Sequence, residues 1–257
     1  MTWDPRQYAR FAGERERPFF DLFAAVASLE PRSVVDLGCG AGNLTQQLAE
    51  RWPRASVLGL DSSAEMLART GQLSATNLSF QQLDLRLWQP PQRVDLVFSN
   101  ATLQWVEDHP RLLPRLASYA EQALAVQMPG NHLAPSHQEI VALATSPRWE
   151  ARLGELGRRP THLLTLGEYV ELLSPLGFAV DAWETTYLHQ LMGENAVLEW
   201  IKGTYLRPYL DALSVDDQPA FLAEAGERLS RAYPSRGGRT LFPFRRLFFV
   251  ARRNPTV

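Results

Sequence analysis

One cysteine, Cys39, is all the chain carries, which excludes an internal disulfide and any cysteine-cluster metal site. An excess of one charge is missing too: 26 basic against 28 acidic residues leave a formal net charge of −2. The basic residues are scattered rather than striped, so there is no electrostatic footprint for a nucleic-acid partner. No apolar run approaches membrane-spanning length, and the opening Met1-Thr2-Trp3-Asp4-Pro5 is polar. A cytoplasmic protein with neither nucleic-acid nor membrane partners is expected. Repeats and low-complexity tracts are absent, and His109, His132 and His137 have no spacing that suggests a metal site. What remains is an ordinary composition over 257 residues, long enough for one large α/β domain with an embellishment.

Against that background one stretch stands out: Val34-Val35-Asp36-Leu37-Gly38-Cys39-Gly40-Ala41-Gly42-Asn43-Leu44. An apolar run ends in an acid, glycines follow at alternate positions, and Leu44 and Leu48 then resume on a helical spacing. A buried strand, a tight turn and a helix N-terminus read this way. Lacking a Cβ, glycine permits positive φ and lets a ligand lie against the backbone. The dinucleotide pattern G-x-G-x-x-G is lacking, because its last glycine would fall on Asn43. A pyrophosphate also prefers an acid-free helix N-terminus, whereas Asp36 suits a ligand with an ammonium and a sulfonium. Asp36, Gly38, Gly40 and Gly42 together resemble the glycine loop of the class I methyltransferases, which use S-adenosylmethionine.

The flanking pattern alternates strand and helix. Residues 4–30 read as helical, with Phe19, Leu22, Phe23, Val26 and Leu29 on one face and Pro18 suited to an opening turn. Strands are expected at 33–37, 55–61, 77–83, 94–100 and 123–128, with helices at 43–51 and 63–70. Strands separated by helices call for a parallel doubly wound sheet, which binds ligands beyond the carboxyl ends of its strands. Gly38–Gly42, Asp61, Asp84 and Asn100 all fall there. Asp61 can accept both ribose hydroxyls, with Ser62 beside it, and Asp84 the adenine amino group. Leu85 offers adenine an apolar contact and a backbone amide, and Met66 a sulfur to pack on its face. Asn100 and Ala101 sit where the fourth strand meets the reacting end of the cofactor.

After the fifth strand the pattern loosens. A helix is expected at 165–174 and a sixth strand at 177–183, running on through Tyr187. The resemblance to the class I methyltransferases implies a last strand at 247–252. Blocks at about 129–164 and 194–232 are read as insertions forming a helical cap over the active site, within a single domain spanning 1–257.

Four segments sharpen the resemblance: Ser99-Asn100-Ala101-Thr102-Leu103-Gln104-Trp105-Val106, Ala125-Val126-Gln127-Met128-Pro129, Thr185-Thr186-Tyr187-Leu188-His189-Gln190 and Leu206-Arg207-Pro208-Tyr209. With Tyr8, Phe11 and Glu14–Pro18, they resemble the trans-aconitate 2-methyltransferases over essentially the whole chain. The chain departs from that family where Ser118–Gln122 lacks a glycine turn and where Gly130 and His132 stand. The resemblance implies a Rossmann-like class I methyltransferase fold: a seven-stranded, mostly parallel sheet with helices on both faces and a final antiparallel strand. It also implies S-adenosylmethionine as cofactor, S-adenosylhomocysteine as product, and a small carboxylic acid as substrate.

A polycarboxylate needs cationic and donor partners. Arg207 comes first, because a guanidinium fork pairs bidentately with a carboxylate. His189 and Tyr187 follow, with Tyr8 and Arg17 closing the cofactor mouth and Gln104 and Trp105 positioning the methyl-transfer end. No catalytic base is expected, since a carboxylate with a pKa of roughly 4 is already ionised at neutral pH. The assembly expected is a monomer or weak homodimer. Two alternatives stay open: carboxyl methylation of another small acid or of malonyl-carrier protein, docked through Arg245, Arg246, Arg252 and Arg253, or a non-catalytic module that binds the cofactor.

Overall fold

The structure, a computed structural model, describes residues 12–73 and 75–255, without the side chains of residues 12–15. Tyr8 lies outside the described residues. One sheet is built from β1 (Ser33–Leu37), β2 (Ser56–Asp61), β3 (Leu78–Gln82), β4 (Val94–Asn100), β5 (Ala120–Pro129), β6 (Phe178–Met192) and β7 (Arg239–Arg253), in the order β3-β2-β1-β4-β5-β7-β6. The helices, in chain order, are α1 (Ala12–Val26), α2 (Asn43–Arg51), α3 (Ala64–Leu67), α4 (His109–Tyr119), α5 (Pro135–Ala144), α6 (Glu150–Arg158), α7 (Leu166–Leu173), α8 (Ala196–Lys202), α9 (Arg207–Asp211) and α10 (Gln218–Ala232).

The pairings from β3 through β5 are parallel, and β7 runs antiparallel to β5. Strand order reverses at β1, which pairs with β2 on one side and β4 on the other. That is the switch point at which doubly wound sheets open a crevice for ligands. Strands covered on both faces must be apolar almost throughout. Val34, Val35 and Leu37 on β1 and Leu96, Val97 and Phe98 on β4 are accordingly buried. Phe19 of α1 meets Phe98 edge-on with ring centroids 5.4 Å apart, fixing that helix to one face. Leu112, Leu113 and Leu116 of α4 and Tyr169 and Leu173 of α7 cluster with Val35, Val97, Leu124 and Phe249 on the other.

Several elements differ from their sequence-based bounds. β7 begins at Arg239, not 247, and β6 runs on to Met192. In both extensions buried and exposed residues alternate: Thr240, Phe242 and Phe244 are buried, and Leu241 and Pro243 are exposed. Pro243 obscured that period of two, because proline within a run demotes a strand assignment. β5 likewise starts earlier, at Ala120. The helix expected over 63–70 stops at Leu67 and gives way to a 3-10 turn at Thr70–Gln72, which contains Gly71. Pro18 lies inside α1 rather than in its opening turn. The buried neighbours Phe19 and Leu22 offset the backbone hydrogen bond it forfeits.

Chain packing separates two compact units. Among the described residues, the first contains 12–15, 130–161 and 186–245, and the second contains 16–129, 162–185 and 246–255. The first unit has its own core, in which Trp149, Leu153, Trp200, Tyr209, Phe221 and Phe242 are buried together. The second contains the sheet from β3 through β5 and the core that α4 and α7 close. Among the described residues, no helix is long and apolar enough to cross a membrane.

Candidate active site at the strand ends

In the second unit the glycine loop joins β1 to α2. Gly38 and Gly42 have φ of 79° and 80°, in the left-handed region that favours glycine. A Cβ on Gly38 would stand 2.1 Å from Thr102 Oγ1, and one on Gly42 would stand 2.5 Å from Phe80 Cζ. Packing alone therefore demands these two glycines. Gly40 differs. At φ 58° its Cβ would meet only Met66 Cε, at 3.8 Å, so its backbone faces open space. A cradle of this kind suits a ligand lying against the chain.

Two acids brace the loop. Asp61, the last residue of β2, accepts hydrogen bonds from the Gly40 amide at 2.9 Å and the Ser63 amide at 2.8 Å, one to each carboxylate oxygen. Asp36 is 5 % exposed and accepts from the Thr45 hydroxyl at 2.7 Å, tying β1 to the first turn of α2. Burial raises its pKa to about 7; the Thr45 hydrogen bond opposes the rise and the charge of Asp61 adds to it. Burial likewise raises the Cys39 thiol well above its usual range, so this cysteine stays protonated and packs as a small side chain. Ser62 is exposed, and its carbonyl accepts from the Gln82 side chain at 3.2 Å.

Beyond β3, Asp84 binds Arg86 through both carboxylate oxygens, with Arg86 Nε 3.0 Å from each. Those hydrogen bonds hold its carboxyl below the ordinary carboxylate value. Leu85 is buried against the core, and its carbonyl accepts from Arg115 at 3.1 Å.

Beyond β4, Ala101 takes φ 53°, a left-handed conformation uncommon for a residue with a Cβ. Its amide donates to the Gln127 carbonyl at 2.9 Å, and its carbonyl accepts from Gln104 Nε2 at 2.6 Å. The turn that follows is held from below by His109. His109 Nε2 donates to the Leu103 carbonyl at 2.9 Å, so Nδ1 is left to accept from the Tyr169 hydroxyl at 2.7 Å. Burial lowers the pKa of this imidazole and keeps it neutral. Trp105 is 52 % exposed at the end of the turn. Arg17 is on the exposed side of α1.

Of a set of buried amide groups, sequence reasoning named Asn100 and Gln104 and missed Gln127. The Asn100 Oδ1, the Gln104 Oε1 and both polar atoms of Gln127 are buried without a hydrogen-bond partner among the described residues. Gln127 is the one polar side chain in the otherwise apolar run 123–128, and that interruption was the available signal.

In the first unit, Tyr187 and His189 lie two residues apart on the buried side of β6, with ring centroids 6.3 Å apart. His189 stacks on Trp200 at 4.6 Å. Arg207 opens α9 and lies 4.0 Å from Asp211, one turn on. His137 packs 3.8 Å from Tyr205, and burial pushes its pKa down to about 3, with the charge of His132 adding to the fall.

Known proteins fit this geometry. Residues 34–122, spanning β1 to the start of β5, match the methyltransferase domain family. The chain is 48 % identical over 262 residues to trans-aconitate 2-methyltransferase of Streptomyces avermitilis, covering 97 % of this chain and 96 % of that one. It is 48 % identical over 255 residues to that of Mycobacterium sp. strain KMS, covering 97 % and 99 %. The chain belongs to the trans-aconitate 2-methyltransferase family. It is thus an S-adenosylmethionine-dependent methyltransferase. The YcgJ protein of Bacillus subtilis shares the fold at TM-score 0.61 and 13 % identity, over 94 % of this chain and 100 % of that one. The plantazolicin methyltransferase BpumL, solved with S-adenosylhomocysteine, does so at 0.54 and 14 %, over 97 % and 89 %.

The strand ends fit the cofactor of this family. Gly40 leaves open backbone, Asp61 has lone pairs beyond the two it uses for the loop, and Asn100 presents a buried acceptor without a partner among the described residues. Of the arginines considered for a carrier protein, Arg246 is buried and Arg245, Arg252 and Arg253 are half-buried. Arg252 donates to the Ala25 carbonyl and Arg253 to those of Ala117 and Ala120, so those guanidinium groups hold the fold together.

Proposed function

We propose that this protein methylates a carboxylate of trans-aconitate, giving the monomethyl ester and S-adenosylhomocysteine. The observation that carries the reading is the 48 % identity across 97 % of the chain to a trans-aconitate 2-methyltransferase. Bound S-adenosylmethionine supplies an electrophilic methyl group. Gly38, Gly40 and Gly42 shape the backbone that receives the cofactor. Asp61 and Ser62 hold the ribose, and Asp84, Leu85 and Met66 the adenine. Asp36 keeps the loop in place and favours the cationic end, and Asn100 and Ala101 offer acceptors to the ammonium group.

The substrate arrives ionised, so the chain needs no proton acceptor at the reacting oxygen. Its task is to hold that oxygen in line with the methyl group, and positioning of this kind is worth on the order of 7–11 kcal/mol. Gln104 and Trp105 are assigned to that positioning. Arg207, His189, Tyr187, Arg17 and Tyr8 are assigned to the remaining carboxylates. A cytoplasmic monomer or weak homodimer acting on a free metabolite is the setting this reading implies.

The test is an assay with methyl-labelled S-adenosylmethionine and a panel of trans-aconitate, cis-aconitate, citrate, isocitrate and malonyl-carrier protein. Label in a base-labile ester of trans-aconitate, well above the others, is the expected result. Label confined to another acid overturns the substrate, and binding of the cofactor with no label in any acid overturns the reaction.

A further inference from the structure

We propose that Gln127, with Arg246 near it, anchors the carboxylate that receives the methyl group. The inference rests on the carboxyl methyltransferase reading above and adds to it the residues that choose an anionic acceptor.

Register places them. Asn100 on β4 pairs with Gln127 on β5, Gln127 pairs with Phe248 on β7, and Pro129, two residues further along β5, pairs with Arg246. Paired residues on neighbouring strands point to the same face of a sheet, as do residues two apart on one strand. Asn100, Gln127 and Arg246 therefore share one face at the end of the sheet where β4 and β5 finish. Gln127 is 0 % exposed, and Arg246 is 6 % exposed. Next to Gln127 on this face are Ala125 and Phe248, both fully buried, and Trp183 stacks on Phe248 at 4.9 Å.

A primary amide sealed among such neighbours, with neither its donors nor its acceptor bonded among the described residues, is costly, and a leucine of similar size would not be. Its place there makes sense if a ligand supplies the partners. Gln127 offers two N–H donors and Arg246 a cation, which together suit an anion. Asn100, next to it, offers an acceptor and suits the cofactor's ammonium group. In the transfer, a lone pair of one carboxylate oxygen forms the new C–O bond. The methyl carbon's bond to sulfur breaks with its electron pair left on sulfur, and no proton moves. Gln127 Nε2 donates to the other oxygen of that carboxylate, so the attacking oxygen keeps its lone pair. The neutral amide orients the nucleophile without neutralising it, and Arg246 offsets the charge brought into a buried site.

The experiment compares wild type with Gln127→Leu and Gln127→Glu in steady-state kinetics on the acid panel. It adds calorimetric titration with S-adenosylhomocysteine, then with the acid on that complex, and thermal melting. Gln127→Leu is expected to raise KM and Kd for the acid about tenfold or more, the loss expected for a hydrogen bond to a charged group. S-adenosylhomocysteine affinity should stay within about twofold and Tm should hold or rise, since an unsatisfied buried group has been removed. Gln127→Glu should be worse near pH 8, where its charge repels the substrate, and recover as pH falls. A structural glutamine predicts the reverse: a lower Tm with KM unchanged. If wild type methylates trans-aconitate and Gln127→Leu does so with unchanged KM, the anchor is wrong and the substrate stands. If wild type methylates another acid instead, the substrate reading falls, and the variant's KM for that acid decides the anchor. Wild type that binds S-adenosylhomocysteine but titrates with no carboxylate overturns both.

Discussion

Asp61 and Gly40, 21 residues apart in the chain, are joined by a hydrogen bond of 2.9 Å from the glycine amide to a carboxylate oxygen. The other oxygen holds the Ser63 amide at 2.8 Å. The residue assigned to the ribose thus also sets the shape of the loop assigned to the cofactor. Asparagine cannot do both, since its amide nitrogen would face a backbone donor. Asp61→Asn is therefore expected to weaken S-adenosylhomocysteine binding by at least about tenfold, the loss of one hydrogen bond to a charged group. Calorimetric titration measures this, and an affinity within about twofold of wild type would remove Asp61 from the cofactor site.

The glycines of the loop separate by role. At Gly38 a Cβ collides with Thr102, whereas at Gly40 it meets nothing closer than 3.8 Å. Both have positive φ, so alanine is strained at either position, but only Gly38→Ala also overlaps its neighbours. Gly38→Ala is expected to lower Tm sharply or fail to fold. Gly40→Ala should fold with a modest loss of Tm and bind S-adenosylhomocysteine at least about tenfold more weakly, because the new methyl occupies the cofactor's place. Comparable melting and binding for the two variants would show that the open face of Gly40 is not used.

The central sheet and its glycine turn were legible because apolar runs ending in Leu37, Asp61 and Asn100 have few other physical readings. Parallel strands need cover on both faces, and their sequences carry that requirement openly. The long hairpin strands were not legible, because β7 switches from alternating residues at Thr240–Phe244 to a continuous apolar run at Leu247–Ala251, and Pro243 lies within the first part. Asp36 was read as an acid facing a cation, and only the structure reveals its bond to Thr45. Gln127 escaped notice for a related reason. A lone glutamine among apolar residues is informative only once burial and the lack of a partner are known.

The buried Asp36 makes stability depend on pH with a definite sign. Its folded pKa, raised by burial to about 7, lies above its ordinary value of 3.8. Between those values the native state keeps a proton that the unfolded chain has released. Stability from this group is therefore full at low pH and falls as pH rises toward 7, remaining lost above it. Asp36→Asn cannot ionise and keeps an oxygen to accept from Thr45. Without cofactor it should melt several degrees higher than wild type at pH 8 and at nearly the same temperature near pH 4. Melting curves at both values check this. A difference that does not change with pH would mean that Asp36 does not titrate in that range.

Arg207 has a competitor for any substrate in Asp211, whose carboxylate lies 4.0 Å away on the next turn of α9. A pair that loose, with the arginine side chain 21 % exposed, contributes little to stability, about 0–1 kcal/mol. The guanidinium fork thus remains available for a stronger, bidentate partner. Arg207→Ala is expected to raise KM for a polycarboxylate about tenfold or more while leaving S-adenosylhomocysteine affinity and Tm nearly unchanged. Asp211→Asn should act in the opposite direction, lowering KM or leaving it alone, because it releases the guanidinium. A purely structural pair predicts something else: both variants lose Tm together and neither changes KM. Initial rates and melts on the two proteins, with wild type alongside, distinguish these patterns, and the structural pattern would take Arg207 out of the substrate site.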